Sequence, residues 1–254
     1  MELIEPDWPA PASVRACATT RLGGVSQEPF ASLNLGDHVG DDPEHVARNR
    51  EILRSHLELP AEPLWLRQVH GCEVVRAECP AAPIPEADAA TATTPGQVCA
   101  VMTADCLPLL LCDDQGTRVS AVHAGWRGLA GGVLESAVAA MAVAPERLLV
   151  WMGPAIGSDA FEVGSEVRAA FVAGDGEART AFRPSPNAVQ GERWLADLFE
   201  LARLRLARLG VERVYGGGDC TFSQPGRFFS YRRDGTTGRL ASLIWLAPND
   251  SHGS

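Results

Sequence analysis

The chain has 254 residues, 46% of them hydrophobic, enough to bury a sizeable core, and one domain spanning residues 1–254 is expected. Its 32 acidic and 22 basic side chains leave a net charge of -10, which disfavours nonspecific attraction to nucleic acid or to an anionic membrane. Every basic residue is arginine, so a lysine Schiff base, a P-loop lysine and lysine-dependent kinase or β-lactamase-type sites are excluded, and any phosphate or carboxylate must be held by arginine and backbone amides.

The N-terminus MELIEPDWPAPAS lacks a basic region followed by an apolar core, and no stretch approaches the roughly 20 apolar residues of a membrane span. A cytoplasmic protein is the expectation. Strands are expected at VRACATT from Val14, PLWLRQV from Pro63, VCAVMT from Val98, LPLLLC from Leu107, RVSAVHA from Arg118, RLLVWMG from Arg147 and RLASLIWLA from Arg239. Each is short, apolar and bounded by Gly, Pro or Asp.

Three helices are expected between them. DDPEHVARNREILRSHLEL offers Asp41 or Asp42 as N-cap, Pro43 in the first turn, and Val46, Ile52, Leu53 and Leu57 for an inner face. GLAGGVLESAVAAMAV after Gly128 reads as one buried helix rich in small residues, and WLADLFELARLRLARLG as another that stops at a left-handed Gly210. The stretches around Glu78 to Gly96 and Gly174 to Gly191 read as surface excursions. Strands and helices mingle without strict alternation, which predicts a mixed-sheet α/β or α+β domain.

The seven cysteines, at 17, 72, 79, 99, 106, 112 and 220, are an odd set with no CxxC pair, so reduced thiols are expected. Of the six histidines, His45 and His56 fall in the first helix, His252 in the C-terminal tail, and His38 in a loop where it serves either function or a turn. His70 in LRQVHG and His123 in SAVHAGW stand where an apolar run gives way to glycine, and Cys106 begins LPLLLC. Convergence of the three strand ends would make a Cys-His-His metal site. The same atoms also suit a thiolate nucleophile at Cys106 with His123 or His70 as its base.

RQVHG, TADCLPLLL, HAGWRG, GPAIGSDAFEVG and FFSYRRDGTTGR, with TRLGGVS, SLNLGDHVGDDP and DCT, resemble the signatures of the multicopper polyphenol oxidase or laccase-domain family, from roughly Thr19 to Leu246. The resemblance implies layered mixed sheets flanked by helices, similar to the catalytic fold of cytotoxic necrotizing factor toxins. It implies a zinc or copper site with ligands His70, Cys106 and His123. It further implies phosphorolysis of adenosine, inosine and methylthioadenosine to free base and ribose 1-phosphate, an adenosine deaminase activity, and a monomer or small homo-oligomer.

A blue-copper centre feeding a trinuclear cluster would consume more than six histidines, so true multicopper oxidase chemistry is excluded, leaving phenol oxidation at one copper as a side reaction. The His-x-Glu and Pro-Cys-x-x-Cys pattern of zinc deaminases is missing too, so deamination would need a site of a different kind from theirs. Three protein ligands leave zinc an open position, at which the pKa of a water falls to about 7. For phosphate, Arg127 in GWRG and Arg232 or Arg233 in SYRRDG are the candidate clamps, each with a structural salt bridge as the plain alternative. Asp105 either orients a ligand and shuttles a proton or caps a turn; Cys220 is assigned to packing. Two further readings stand beside the phosphorylase: a cysteine hydrolase acting on an amide, as in peptidoglycan-precursor editing, and a closed four-ligand metal module without catalysis.

Overall fold

LPLLLCD is apolar at nearly every position because the strand it forms is covered on both faces. The computed structural model describes residues 1–77, 83–186 and 193–248, and Cys79 and His252 lie outside them. The central sheet is mixed and six-stranded. Its order is β12 (Arg213–Gly216), β8 (Leu148–Met152), β6 (Leu107–Asp113), β7 (Val119–Ala124), β4 (Ala89–Ala92) and β3 (Val74–Arg76). The two edge pairs are parallel and the inner pairs antiparallel. A second sheet is antiparallel: β1 (Leu3–Ile4), β2 (Val14–Thr19), β13 (Leu240–Leu246) and β5 (Val98–Thr103). A small third sheet joins β10 (Phe182–Pro184), β11 (Arg193–Ala196) and β9 (Glu162–Gly164).

The helices are α1 (Pro43–His56), α2 (Trp126–Gly131), α3 (Val133–Met141), α4 (Ser165–Val172), α5 (Leu198–Arg208) and α6 (Tyr231–Asp234). Period-two alternation sorts the strands between cores. Leu107, Leu109 and Leu111 of β6 pack with Leu134, Met141, Phe171 and Leu201 of the helices, whereas Leu110 and Cys112 face Val101 and Ile244 of the second sheet. On that sheet's far face, Ala100, Leu243 and Trp245 meet Leu53 of α1. The order is therefore helix, sheet, sheet, helices, the mixed α/β architecture the pattern predicts.

Six of the seven expected strands form. The exception is PLWLRQV, in which Leu64 bridges to Cys99 and Arg67 to Glu86, so the segment passes between two partners and follows neither. The helix expected after Gly128 is two helices, α2 and α3. Gly132 between them has φ 107°, a conformation that ends the first and redirects the second. The run beginning at Trp194 is helical only from Leu198; before it comes β11, and Asp197 caps the helix by accepting the Glu200 N–H. Gly210 is left-handed, at φ 81°, and the N-cap of α1 is Asp42.

Neither expected excursion is wholly irregular. The first contains β4, whose Ala-Ala-Thr-Ala is buried against α3; small side chains mute its hydropathy while permitting the close packing. The second contains β10. No helix among the described residues is long and apolar enough to cross a membrane.

Because β6 is buried on both sides, Leu109→Ala and Leu110→Ala should each lower unfolding free energy by about 2–5 kcal/mol in urea titrations, the cost of a core cavity. A strand with one wet face would show only one costly substitution.

Candidate metal centre

The register of the central sheet gathers the sequence-predicted ligands. Leu107 pairs with Ala124 and Pro108 with His123, so Cys106 and His123 meet at one end of the β6–β7 pair. Ala89 pairs with Val122, which brings Asp88, the residue before β4, beside His123 as well. His70 reaches the same end from the loop before β3, with a left-handed φ of 60°. A Cβ at Gly125 would lie 2.7 Å from His70 Cδ2 and 3.0 Å from Cys106 Sγ, so only glycine after β7 lets the three side chains close together.

The sulfur and one ring nitrogen of each histidine lie within 4.8 Å of one another, and His70 Nε2 is 3.8 Å from Cys106 Sγ. His123 is buried, Cys106 is half-buried and His70 is exposed, so the cluster is open on the His70 side. Val69, 51% exposed, and Tyr231, 61% exposed, are among the few large apolar side chains left in solvent.

Asp88 is fully buried and organises the group. Its Oδ1 accepts from His123 Nδ1 at 2.7 Å and from the His70 N–H at 3.0 Å, while Oδ2 accepts from the Val69 and Gly71 N–H groups at 3.2 and 2.6 Å. Its carbonyl also receives the His123 N–H at 2.7 Å. Because a carboxylate only accepts, the His123 Nδ1 carries the proton and Nε2 is the nitrogen left for the cluster. One thiolate and two imidazoles form a borderline-soft donor set that fits zinc and also suits copper.

Burial alone would raise the Cys106 thiol, but the charge and hydrogen bonds of His123 and His70 outweigh it and bring the thiol below its ordinary range. Burial opposes the charge on His123, yet Cys106 and Asp88 raise it. Asp88 is held below the usual carboxylate range: desolvation works against it, and its bonds to His123 and the backbone prevail. At Cys17 and Cys112 burial dominates, pushing each up to about 12, whereas hydrogen bonds from Ser223 and nearby backbone groups outweigh burial and hold the Cys220 thiol low as well. The cysteine chosen on sequence position is therefore the one whose surroundings favour a thiolate within a histidine cluster.

The other expected residues divide. Asp105, at φ 99°, is pinned, with Oδ1 accepting the Thr221 hydroxyl at 2.6 Å and Oδ2 the Arg232 N–H at 2.6 Å; it fixes the turn ahead of Cys106. Arg127 is exposed and lies over the Trp126 ring at 4.5 Å. Arg232 donates Nη1 to the Glu162 carbonyl at 2.7 Å and is otherwise exposed.

Arg233 corrects an expectation. All five of its N–H donors are engaged, by the Thr221, Phe222 and Phe228 carbonyls and by both oxygens of Asp234, so it is a cross-brace with no donor left for phosphate. Among the described residues no fourth His, Cys, Asp or Glu joins the cluster, unlike the closed module; Cys220 instead accepts the Gly157 N–H. Sequence reasoning missed Asp88. Its only signal is an acidic residue immediately before a small-residue strand.

The family described as multi-copper polyphenol oxidoreductase laccase matches residues 15–247. The Pseudomonas aeruginosa protein called purine nucleoside phosphorylase PA4543 is 59% identical over 243 residues, covering 96% of this chain and 98% of its own. Purine nucleoside phosphorylase YfiH of Escherichia coli is 54% identical over 245 residues, covering 96% and 99%. Among solved structures, Neisseria meningitidis NMB0706 superposes with a TM-score of 0.93 at 53% identity, covering 98% of this chain and all of that one. YlmD of Geobacillus stearothermophilus gives 0.82 at 32%, covering 93% of each.

Asp88→Asn leaves an amide NH₂ facing N–H donors, so zinc affinity measured by chelator competition should fall about 10–100-fold. Asp88 contributes its full stabilisation above the ordinary carboxylate pKa of about 3.9, and loses it as pH falls through its lower folded value. Acid unfolding of Asp88→Asn should lack that step, and unchanged zinc affinity would refute the orienting role.

Proposed function

The chain belongs to the multi-copper polyphenol oxidoreductase laccase family, and from that membership we propose that it is a metal-dependent purine nucleoside phosphorylase. The observation that carries the reading is the open cluster of one cysteine and two histidines, within 4.8 Å of one another, in a chain whose relatives at 54–59% identity bear that activity in their names. His70, Cys106 and His123 hold zinc, with copper as the alternative metal, and adenosine, inosine and methylthioadenosine are converted with phosphate to free base and ribose 1-phosphate. Adenosine deamination is a second activity of the same cleft. One domain, residues 1–254, carries the site, in the cytoplasm, as a monomer or small homo-oligomer with no nucleic-acid or membrane partner.

Zinc held by His70, Cys106 and His123 would supply a Lewis acid. The chain's own groups do the rest. Asp88 fixes the His123 tautomer, the β6–β7 register holds Cys106 against it, and the turn at Asp105 keeps Cys106 from swinging away. Phosphate and the developing positive charge on the sugar require opposite partners. With no lysine in the chain, the anion falls to arginine.

One observation favours a second reading. Cys106, His123 and Asp88 form a chain in which the carboxylate orients the imidazole and the imidazole stands within 4.8 Å of the thiol, the order of groups in a cysteine hydrolase. Metal-stripped protein that turns over an amide through a covalent adduct at Cys106 would establish it.

The deciding assay incubates zinc-loaded and chelator-treated protein with adenosine, with and without phosphate, and identifies products by mass. Adenine and ribose 1-phosphate that need both zinc and phosphate are expected; inosine formed without phosphate would make deamination primary. Cys106→Ala should lose bound metal and turnover together while its circular dichroism stays native. Nucleoside turnover without bound metal would sink the mechanism.

A further inference from the structure

Phosphorolysis needs an anion site beside the metal centre, and the sequence places no candidate there unambiguously. Arg233 is saturated, Arg232 spends a nitrogen on Glu162, and Arg127 stands in solvent on Trp126. Arg239, which opens the RLASLIWLA run, is different. Leu240 pairs with Thr103 across β13 and β5, so Arg239 flanks Ala104 to Cys106 at the same edge.

Its backbone and stem are fixed. The Arg239 N–H donates to Asn34 Oδ1 at 2.9 Å and its carbonyl accepts from Leu35 at 3.2 Å. Its Cγ lies 2.7 Å from where a Cβ at Gly36 would stand, a passage only glycine leaves open. Nη1 donates to the carbonyls of Thr237 and Gly238 at 3.0 and 3.1 Å. The Nε and Nη2 edge, the fork that matches two oxygens of a phosphate, has no hydrogen-bond partner among the described residues, and Arg239 makes no ion pair among them.

A second, independent feature lies in the same turn. The Thr237 hydroxyl is buried, its residue 2% exposed, and has no partner among the described residues. A buried, unpartnered hydroxyl and a half-buried guanidinium edge left open by the protein, two residues apart, form a donor set suited to an anion.

From this geometry we propose that Arg239, with the Thr237 hydroxyl, binds the phosphate co-substrate of the reaction. The assignment rests on the phosphorylase reading. The surroundings agree: Arg239 is within electrostatic reach of Cys106 and Asp105, its guanidinium stands 5.9 Å from the Tyr231 ring, and its charge also reaches His38. Burial works against the Arg239 cation, and a bound anion would offset that cost.

Inorganic phosphate is the probe, titrated calorimetrically into the zinc-loaded full chain. Arg239→Gln should weaken phosphate binding about 10–100-fold, the worth of a charge-assisted pair of hydrogen bonds, and raise KM for phosphate alike. Zinc content and KM for the nucleoside should stay unchanged. Arg239→Lys, which keeps the charge without the fork and guards against misfolding of the first variant, should recover part of the affinity, and Arg48→Gln, remote on α1, should bind phosphate as wild type does. Phosphate binding equal to wild type in Arg239→Gln, no phosphate binding by wild type, or loss of zinc along with phosphate would each overturn the assignment. Wild type that binds phosphate through Arg239 yet converts no nucleoside would sink the phosphorylase reading and leave this site standing.

Discussion

The buried carboxylate of Asp88 is the constraint on which the His70–Cys106–His123 cluster depends. It accepts four hydrogen bonds, three from consecutive backbone N–H groups at Val69, His70 and Gly71 and one from the His123 ring. Those bonds tie a loop to a strand. They set the left-handed turn that carries His70 and the tautomer of His123 in one stroke, so two imidazoles from separate elements share one anchor. An ionised group without such partners could not remain in the interior, where desolvating a charge costs several kcal/mol.

The sheet supplies what Asp88 cannot. A strand covered on both faces has no freedom to slip, because a shift of one residue would exchange the sets that face the helices and the second sheet. Leu109 and Leu110, buried on opposite faces of β6, thus hold Cys106 and His123 in register. Glycine at position 125 completes the arrangement by leaving room, and the turn at Asp105, bonded to Thr221 and Arg232, ties the Cys106 end of β6 to α6. Rigidity of this kind is what a preorganised ligand set requires.

Much of this was legible in the residues. Short β-branched runs, the Asp42 cap with Pro43 behind it, and the polar residues at strand ends each carry a local physical signal that tertiary packing reinforces. The failures have a common cause: their signals were either muted or non-local. Ala89 to Ala92 reads as unstructured because small side chains contribute little hydropathy, although α3 needs them small. Pro63 to Val69 is apolar enough for a strand but finds two partners instead of one. Asp88 and Arg239 look like any surface charge until the register shows what stands across from them. Arg233, in a glycine-bordered motif, invites a functional reading that only a count of its donors withdraws.

The same count separates the two chemistries the cluster supports. With Asp88 fixing a proton on Nδ1, His123 has one nitrogen to give, and Nε2 can hold a metal or take the proton of Cys106, not both. A nucleophilic thiolate needs His123 cationic, and a metal ligand needs it neutral at Nε2. Metal and proton therefore compete for one lone pair. The neighbours of Cys106 favour its thiolate in either case, so the sulfur does not discriminate between the roles. His70 does: a hydrolase requires only one base, whereas the loop that delivers His70 is held in a left-handed turn by three backbone bonds to Asp88. A second imidazole fixed so firmly at 3.8 Å from the sulfur is surplus to a thiol–imidazole pair and necessary to a three-ligand site.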